Sequence, residues 1–429
     1  MRVTTLFVRR VSRALLISAF LVAQSFAQQQ QVFTWPELKA KFEATNPTLK
    51  AAQDNISESR AEEVTAYLRP NPDFGLTTDG FQISPNQGVW RPFSGVFEVP
   101  TISYLHERRH KRELRLQSAQ ETTDVTTSQY ADQERSMIFN LRNSFVQVLQ
   151  AKAVLQNAKN NLEYWDRELG VNKDRWKAGD EAEVDYDRLV LQRVQFESDY
   201  ETSLVNLRTA KIALLQLLND RTPIEKFDVT GPFEFSDELK TMQEFRTMAL
   251  ANRPDLKAAR QSVVLAKTNY DLAVANGSTD PTFSIWFTHN ASIANPFANN
   301  TAGGSVSIPL RIFDRNQGEK ERTLIDIRRN ERLRDAAEAQ VFNDVDSAYV
   351  TVESTLNLLR PYKEKYLSLS VAVRDKVAFA YQHGGASLLD YLDAEKAYRD
   401  TRLAYINLVG SYLVAAAQLN MAVGQEVFE

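Results

Sequence analysis

The chain has 429 residues, 55 of them acidic against 51 basic, and it contains no cysteine. Without thiols there are no disulfides, no thiolate metal site and no acceptor for an N-terminal lipid, and the acidic balance argues against nucleic acid as a partner. Two or three ordinary domains fit this length, but an internal repeat would change that count.

The first residues read as a secretory signal over 1–27. Arg2, Arg9, Arg10 and Arg13 precede the apolar run Ala14–Val22, and Ser25-Phe-Ala27 offers a small-x-small cleavage site. The run is too short to span a bilayer as a helix. Its removal leaves 47 bases against 55 acids, a net charge near −8. No later apolar run is expected to cross a membrane as a helix, so any crossing must use strands.

After a Gln-rich start, Trp35 to about Tyr67 reads as a helix interrupted at Asn46-Pro47, and Pro70-Asn-Pro72 ends it. Two strand-like runs follow, Asp73–Thr78 and Phe93–Val99. Pro100 suits the first position of a helix, and from there the pattern stays helical to about Lys177. That span is roughly 110 Å long at 1.5 Å per residue. A second helix returns from about Ala182 to Leu218, and the irregular segment from Asp220 to about Glu244 closes this half.

The second half repeats the order. Strands are expected at Thr282–Thr288 and Gly304–Ile308, with Val306 and Ile308 alternating against Ser305 and Ser307 as in a barrel wall. A soluble half-buried hairpin would carry the same alternation. Helices are expected from about Arg315 to His383, with a kink or break at Pro361, and from Leu388 to Val423. Tyr391, Tyr398, Tyr405, Tyr412 and Leu419 are seven apart, as are Tyr186, Arg193, Tyr200, Leu207 and Leu214. Heptads of this kind indicate coiled-coil packing.

The two halves align. Shifting by 205 places superposes Trp176 on Tyr381, Gly179 on Gly384, Asp185 on Asp390 and Tyr186 on Tyr391. Asn46-Pro-Thr-Leu parallels Arg253-Pro-Asp-Leu, and Val99-Pro100 parallels Ile308-Pro309. The expected organisation is thus a first repeat at 28–225, with its tip near Gly179, and a second at 226–429, with its tip near Gly384. Four strands cannot close a membrane barrel, and an open edge in lipid leaves backbone groups unpaired. If these strands span a membrane, several chains must pool them, and three copies supply twelve.

The chain resembles the TolC-like outer-membrane efflux family over nearly its whole mature length, in the duplication, the strand–Pro–helix junctions and both Gly-containing tips. Ser307-Ile-Pro-Leu-Arg-Ile-Phe-Asp-Arg-Asn-Gln-Gly318 is especially similar to the CzcC-like branch, outer-membrane partners of cation-exporting resistance–nodulation–division pumps. The resemblance implies a mainly α fold with a small membrane β-barrel contribution, assembled as a homotrimer with a 12-stranded barrel in outer-membrane lipid and a long periplasmic α-barrel. It implies a passive duct rather than an enzyme, without a cofactor or resident metal. Its partners would be a periplasmic adaptor (membrane fusion protein) and an inner-membrane resistance–nodulation–division pump, and the likeness to the CzcC-like branch leans towards metal cations as cargo, with drugs or other solutes as the alternative.

Site residues follow from the same resemblance. Asp390 and Asp393 match acids at the family's periplasmic aperture, and a spacing of three puts them on one helix face, so a trimer gathers six carboxylates that favour cations. Asp185 and Tyr381 match partners in the closed-gate hydrogen-bond network, whose arginine falls at Ala386 here. Lys177, Ala178, Gly179, Gly384, Gly385, Ala386 and Ser387 would meet adaptor hairpins.

Two other readings compete. His106-Glu-Arg-Arg-His110 has the spacing of a zinc protease, but a basic solvated collar with Arg108, Arg109, Lys111 and Arg112 explains it better. A periplasmic coiled-coil adaptor or scaffold accounts for the helices but not for two repeated strand pairs.

Overall fold

The structure, a computed structural model, describes residues 31–291 and 297–428, so the expected signal at 1–27 lies outside the described residues. In chain order it shows β1 (Gln31–Phe33), α1 (Trp35–Thr45), α2 (Pro47–Tyr67), β2 (Asp73–Asp79), β3 (Phe97–Leu105), α3 (Lys111–Ala178) and α4 (Glu183–Leu217). The order recurs as β4 (Phe227–Val229), α5 (Met242–Asn252), α6 (Pro254–Asn276), β5 (Thr282–His289), β6 (Asn300–Ser307), α7 (Gln317–Pro361), a π-helical turn (Tyr362–Tyr366), α8 (Leu367–Gln382) and α9 (Leu388–Val423).

The recurrence reaches individual hydrogen bonds. Thr34 with Glu37, and Thr241 with Glu244, form the capping boxes that start α1 and α5. Each box has its threonine and acid three apart, so the backbone N–H of the threonine is met by the acid's carboxylate. Asn46 and Arg253 then sit in extended backbone before a proline, which ends one helix and opens the next. Leu49 and Leu256, two residues past those prolines, are both buried.

The chain divides into two compact units, one made of residues up to 50, 133–253 and 341–429, the other of 51–132 and 254–340. In the second unit, β2, β3, β5 and β6 form an antiparallel sheet in the order β2-β3-β5-β6. Here the sequence expectation for Pro100 fails. Pro100 lies inside β3, opposite Leu76, and the helix starts only at Lys111. Its missing N–H is tolerated because the β3–β5 register runs from Glu98 to Thr101 without pairing at Val99 or Pro100.

The H-E-x-x-H stretch also departs from the spacing argument. Residues 106–110 connect β3 to α3 rather than forming a helical turn. Arg109 and His110 have positive φ, and the His110 side chain is 88% exposed. The two imidazoles therefore do not share a helix face, as a zinc site of this type requires. Nor is the collar simply solvated. Lys111 is only 4% exposed, with its ammonium 2.5 Å from Asp280 and 3.0 Å from the Ser278 carbonyl, while Arg115 pairs with Glu107.

In the first unit, β1 pairs in parallel with β4, an element that the sequence reading left as irregular connection. Asp228 on β4 receives Lys152 at 2.8 Å and Lys211 at 3.1 Å, fixing the connection to α3 and α4. Pro361 interrupts the second outgoing helix as expected. With no N–H to give, it breaks the regular ladder, and the next turn is wound as a π-helix. One correction concerns α9, which is long and apolar enough to cross a bilayer, contrary to the sequence expectation. Most of its apolar window is buried inside the fold, which marks it as a core helix.

Candidate functional site

Two regions carry functional geometry, the sheet of the second unit and the helix tips of the first. Along the sheet, cross-strand neighbours share a face. The register sets Phe74 opposite Ile102, Ile102 opposite Ile285, Tyr104 opposite Phe283, and Phe283 opposite Val306. Leu76 and Phe287 fall on this same face by alternation. Phe74, Leu76, Ile102, Phe283, Ile285, Phe287 and Val306 are all exposed. The other face sets Asp73 opposite Ser103, Ser103 opposite Ser284, and Ser284 opposite Ser305. Phe97, Val99, Leu105 and Trp286 are the large apolar exceptions on that face, and Trp286 lies over Gly303, where an added Cβ would come within 2.5 Å of the indole. Among the described residues, one exposed apolar face and one mainly polar face make the pattern that a wall between lipid and water requires.

At the tips, both turns are built alike. Gly179 and Gly384 have φ of +84° and +75°, a conformation that glycine alone takes without a Cβ penalty. Asp180 N–H donates to the Arg175 carbonyl and Gly179 N–H to that of Trp176. Gly385 and Gly384 donate likewise to Ala380 and Tyr381. These are paired Schellman closures, and they end α3 and α8. Lys177, Ala178, Gly179, Gly384, Gly385 and Ser387 are exposed at these turns, and Ala386 is half-buried.

Behind the tips, aromatic rings stack across the two hairpins. Trp165 of α3 is fully buried and lies 4.9 Å from the Phe196 ring and 6.1 Å from that of Tyr391, and Tyr391 stacks on Tyr381 at 5.1 Å. The indole N–H donates to the Leu189 carbonyl at 3.1 Å, so the ring is satisfied as well as packed. The stack ends in a polar contact: the Tyr381 hydroxyl donates to Glu181 at 2.6 Å. Arg175 stands over the Tyr381 ring at 5.5 Å. Burial, then Glu181, push the Tyr381 pKa up, so the phenol keeps its proton as donor.

The acids singled out from sequence fare differently. Asp390 is exposed, and its carboxylate accepts from the Ser387 N–H at 3.0 Å and from the Ser387 hydroxyl at 2.6 Å, capping α9. Those two hydrogen bonds hold its pKa below the ordinary value, so it stays ionised. Asp393 is exposed one turn further on. Asp185 lies 3.6 Å from Arg188 on its own helix and is not the acceptor of Tyr381. Glu181 and Arg175 were missed by the sequence reading. The signal was faint, an acid two residues beyond Gly179 within the run Asp180-Glu-Ala-Glu-Val-Asp185, and only the turn geometry selects among those acids.

Comparison with known proteins fits this architecture. Residues 246–425 match the profile described as outer membrane efflux protein. Over that stretch the chain is similar to the outer membrane efflux protein family. Among its relatives is the cobalt-zinc-cadmium resistance protein CzcC of Cupriavidus metallidurans, 22% identical over 89% of this chain and 87% of the relative. Two solved structures share the fold: a membrane protein from Pseudomonas aeruginosa, with a TM-score of 0.75 at 16% identity over 91% of this chain and 90% of that one, and CusC, with 0.74 at 16% identity over 91% and 92%. The family match falls on the second repeat, and the capping boxes and Schellman tips extend the same plan to the first.

Proposed function

We propose that this chain is one subunit of a trimeric exit duct, set in the outer membrane and reaching into the periplasm. It would carry substrate onward from an adaptor and an inner-membrane resistance–nodulation–division pump. The observation that carries the reading is the sheet, with one exposed apolar face, one polar face and two free edges, β2 and β6. A lone four-stranded sheet cannot remain so in lipid. Three copies joined edge to edge make twelve strands and close the wall. The duct is passive and catalyses no reaction, because the work is done by the pump.

Metal cations are the proposed cargo. This rests on the likeness to a cobalt-zinc-cadmium resistance protein and on the carboxylates near the tips, Asp390 and Asp393 among them, which would favour cations in a narrow trimeric aperture. At rest the gate would be held by Tyr381 and Glu181, with Arg175 beside them. Lys177 to Gly179 and Gly384 to Ser387 would receive the adaptor.

The test is to separate inner from outer membranes, extract the protein in detergent and measure its mass. A trimer from the outer-membrane fraction is expected. A soluble monomer would refute the duct.

A further inference from the structure

Four polar side chains that the duct does not use meet inside the first unit, next to the aromatic stack. Tyr164 and Glu168 lie one turn apart on α3, and Tyr391 and Glu395 one turn apart on α9. Glu395 is 3% exposed and Tyr391 1% exposed. Oxygen Oε1 of Glu395 and the Tyr391 hydroxyl are both fully buried without a well-formed hydrogen bond. A buried polar group in this condition is costly, and a buried charge more so.

Neighbouring cations do not neutralise the pair. Among the described residues, no ion pair is formed by Glu168 or Glu395. Arg374 of α8 pairs with Asp375 at 2.6 Å and lies over the Tyr398 ring at 4.2 Å. Arg399 of α9 lies over Phe196 at 4.4 Å and faces Asp199 of α4 at 3.7 Å. Arg167 of α3 acts on Glu168 only as a more distant charge. Two carboxyl groups thus share a mostly apolar site with two phenols; Arg374 and Arg399 act on Glu395 only as charges that burial outweighs, and Arg399 Nε is itself buried without a hydrogen bond.

We propose that Glu168 and Glu395 form a proton-binding site that fastens α3 of the first hairpin to α9 of the second. With a proton bound, a carboxyl O–H joins the two phenol O–H groups as a donor, and no net charge need be buried at Glu395. Burial raises the pKa of both glutamates above the ordinary value. The sign follows: the packed contact is fully stable at acid pH and weakens as pH rises through the raised pKa. That such loosening would ease the tips apart rests on the duct reading, whereas the proton site itself does not.

The test uses the full-length, detergent-extracted protein. Infrared difference spectra between acid and alkaline buffer should show a carboxylic-acid carbonyl band that persists above the ordinary glutamate range and is lost in Glu395→Gln. Because the chain has no cysteine, spin labels on Lys177→Cys and His383→Cys report the distance between the tips. That distance should widen at alkaline pH in the parent, and stay constant in Glu395→Gln. A band unchanged by Glu395→Gln overturns the site, and a distance indifferent to pH overturns the fastening. Should Glu395→Gln fail to fold, Tyr164→Phe serves: losing the hydroxyl that lowers the Glu395 pKa should move the band's midpoint up, and an unmoved midpoint overturns the proposal. Neither readout needs conductance, so a protein that does not conduct would count against the duct without touching this site.

Discussion

Replacing Tyr381 with Phe removes one hydroxyl and leaves the ring stack intact, so it isolates the contact with Glu181. A hydrogen bond to a charged acceptor contributes about 1.5–3 kcal/mol. Tyr381 and Glu181 are both half-exposed, so the lower end applies, and ~1.5 kcal/mol is roughly a tenfold change in the open-to-closed ratio of one subunit. If three subunits open together, the shift is about 4.5 kcal/mol, on the order of a thousandfold. Planar-bilayer recording of Tyr381→Phe should therefore show a channel open for most of the record where the parent is closed for most of it. Glu181→Gln should do the same more weakly, since an amide still accepts. Asp185→Asn should do little, because Arg188 is its neighbour on the surface of its own helix. An unchanged closed fraction in Tyr381→Phe, with trimer mass preserved, would refute the latch, and a large effect confined to Asp185→Asn would transfer it to the residue that the sequence suggested.

Three further outcomes are expected. Lys111→Met leaves the Asp280 carboxylate buried without its ammonium and should destabilise the protein by roughly 3 kcal/mol, seen as earlier thermal unfolding. Burial alone would raise the Asp280 pKa, but Lys111 and the Arg108 N–H hold it below the ordinary value, so this stabilisation should fade as pH falls below the normal aspartate range. Lys41 donates to Asp220 and, with Thr222, brings its pKa to about 2 from 3.8. Lys41→Met should cost about 1–2 kcal/mol at neutral pH, and the difference between variant and parent should vanish as pH drops through about 2. On the sheet, Ile285→Lys puts a charge on the apolar face and should cost about 2–4 kcal/mol in lipid, lowering the yield of membrane-assembled protein. Ser284→Lys, on the polar face, should be tolerated, and equal losses from both would refute the assignment of faces.

The helices were readable because their information is local. Heptad tyrosines, the Asn46-Pro47 break and the Gly179 and Gly384 stops act through neighbours a few residues away, and all stand where the sequence puts them. The strands were readable in place but not in extent. Thr101-Ile-Ser-Tyr-Leu105 alternates as clearly as any strand, yet Pro100 was given to the helix, because its fitness for a central strand depends on a gap in pairing with β5, about 180 residues away. β1 and β4 are three residues each and exist only as a pair. At the tips, alignment by offset brought Tyr381 into view, but which of several acids it would meet is decided by the left-handed turn at Gly179. The half-buried Glu168 and the buried Glu395 carried no pattern at all, since an acid at a seam position looks like an acid on a solvated face until the neighbouring helix is placed.

The parallel pairing of Gln31–Phe33 with Phe227–Val229 bears on how the chain is made. The first strand to emerge must wait for a partner almost two hundred residues behind it, and neither compact unit is drawn from one continuous stretch. Completing the sheet unit requires residues up to about 340, and completing the other requires the last helix. A chain made from its N-terminus therefore cannot complete either unit until most of it has emerged, and its exposed apolar strands wait unpaired until then. Late assembly is built into this order of segments, whatever the finished protein carries.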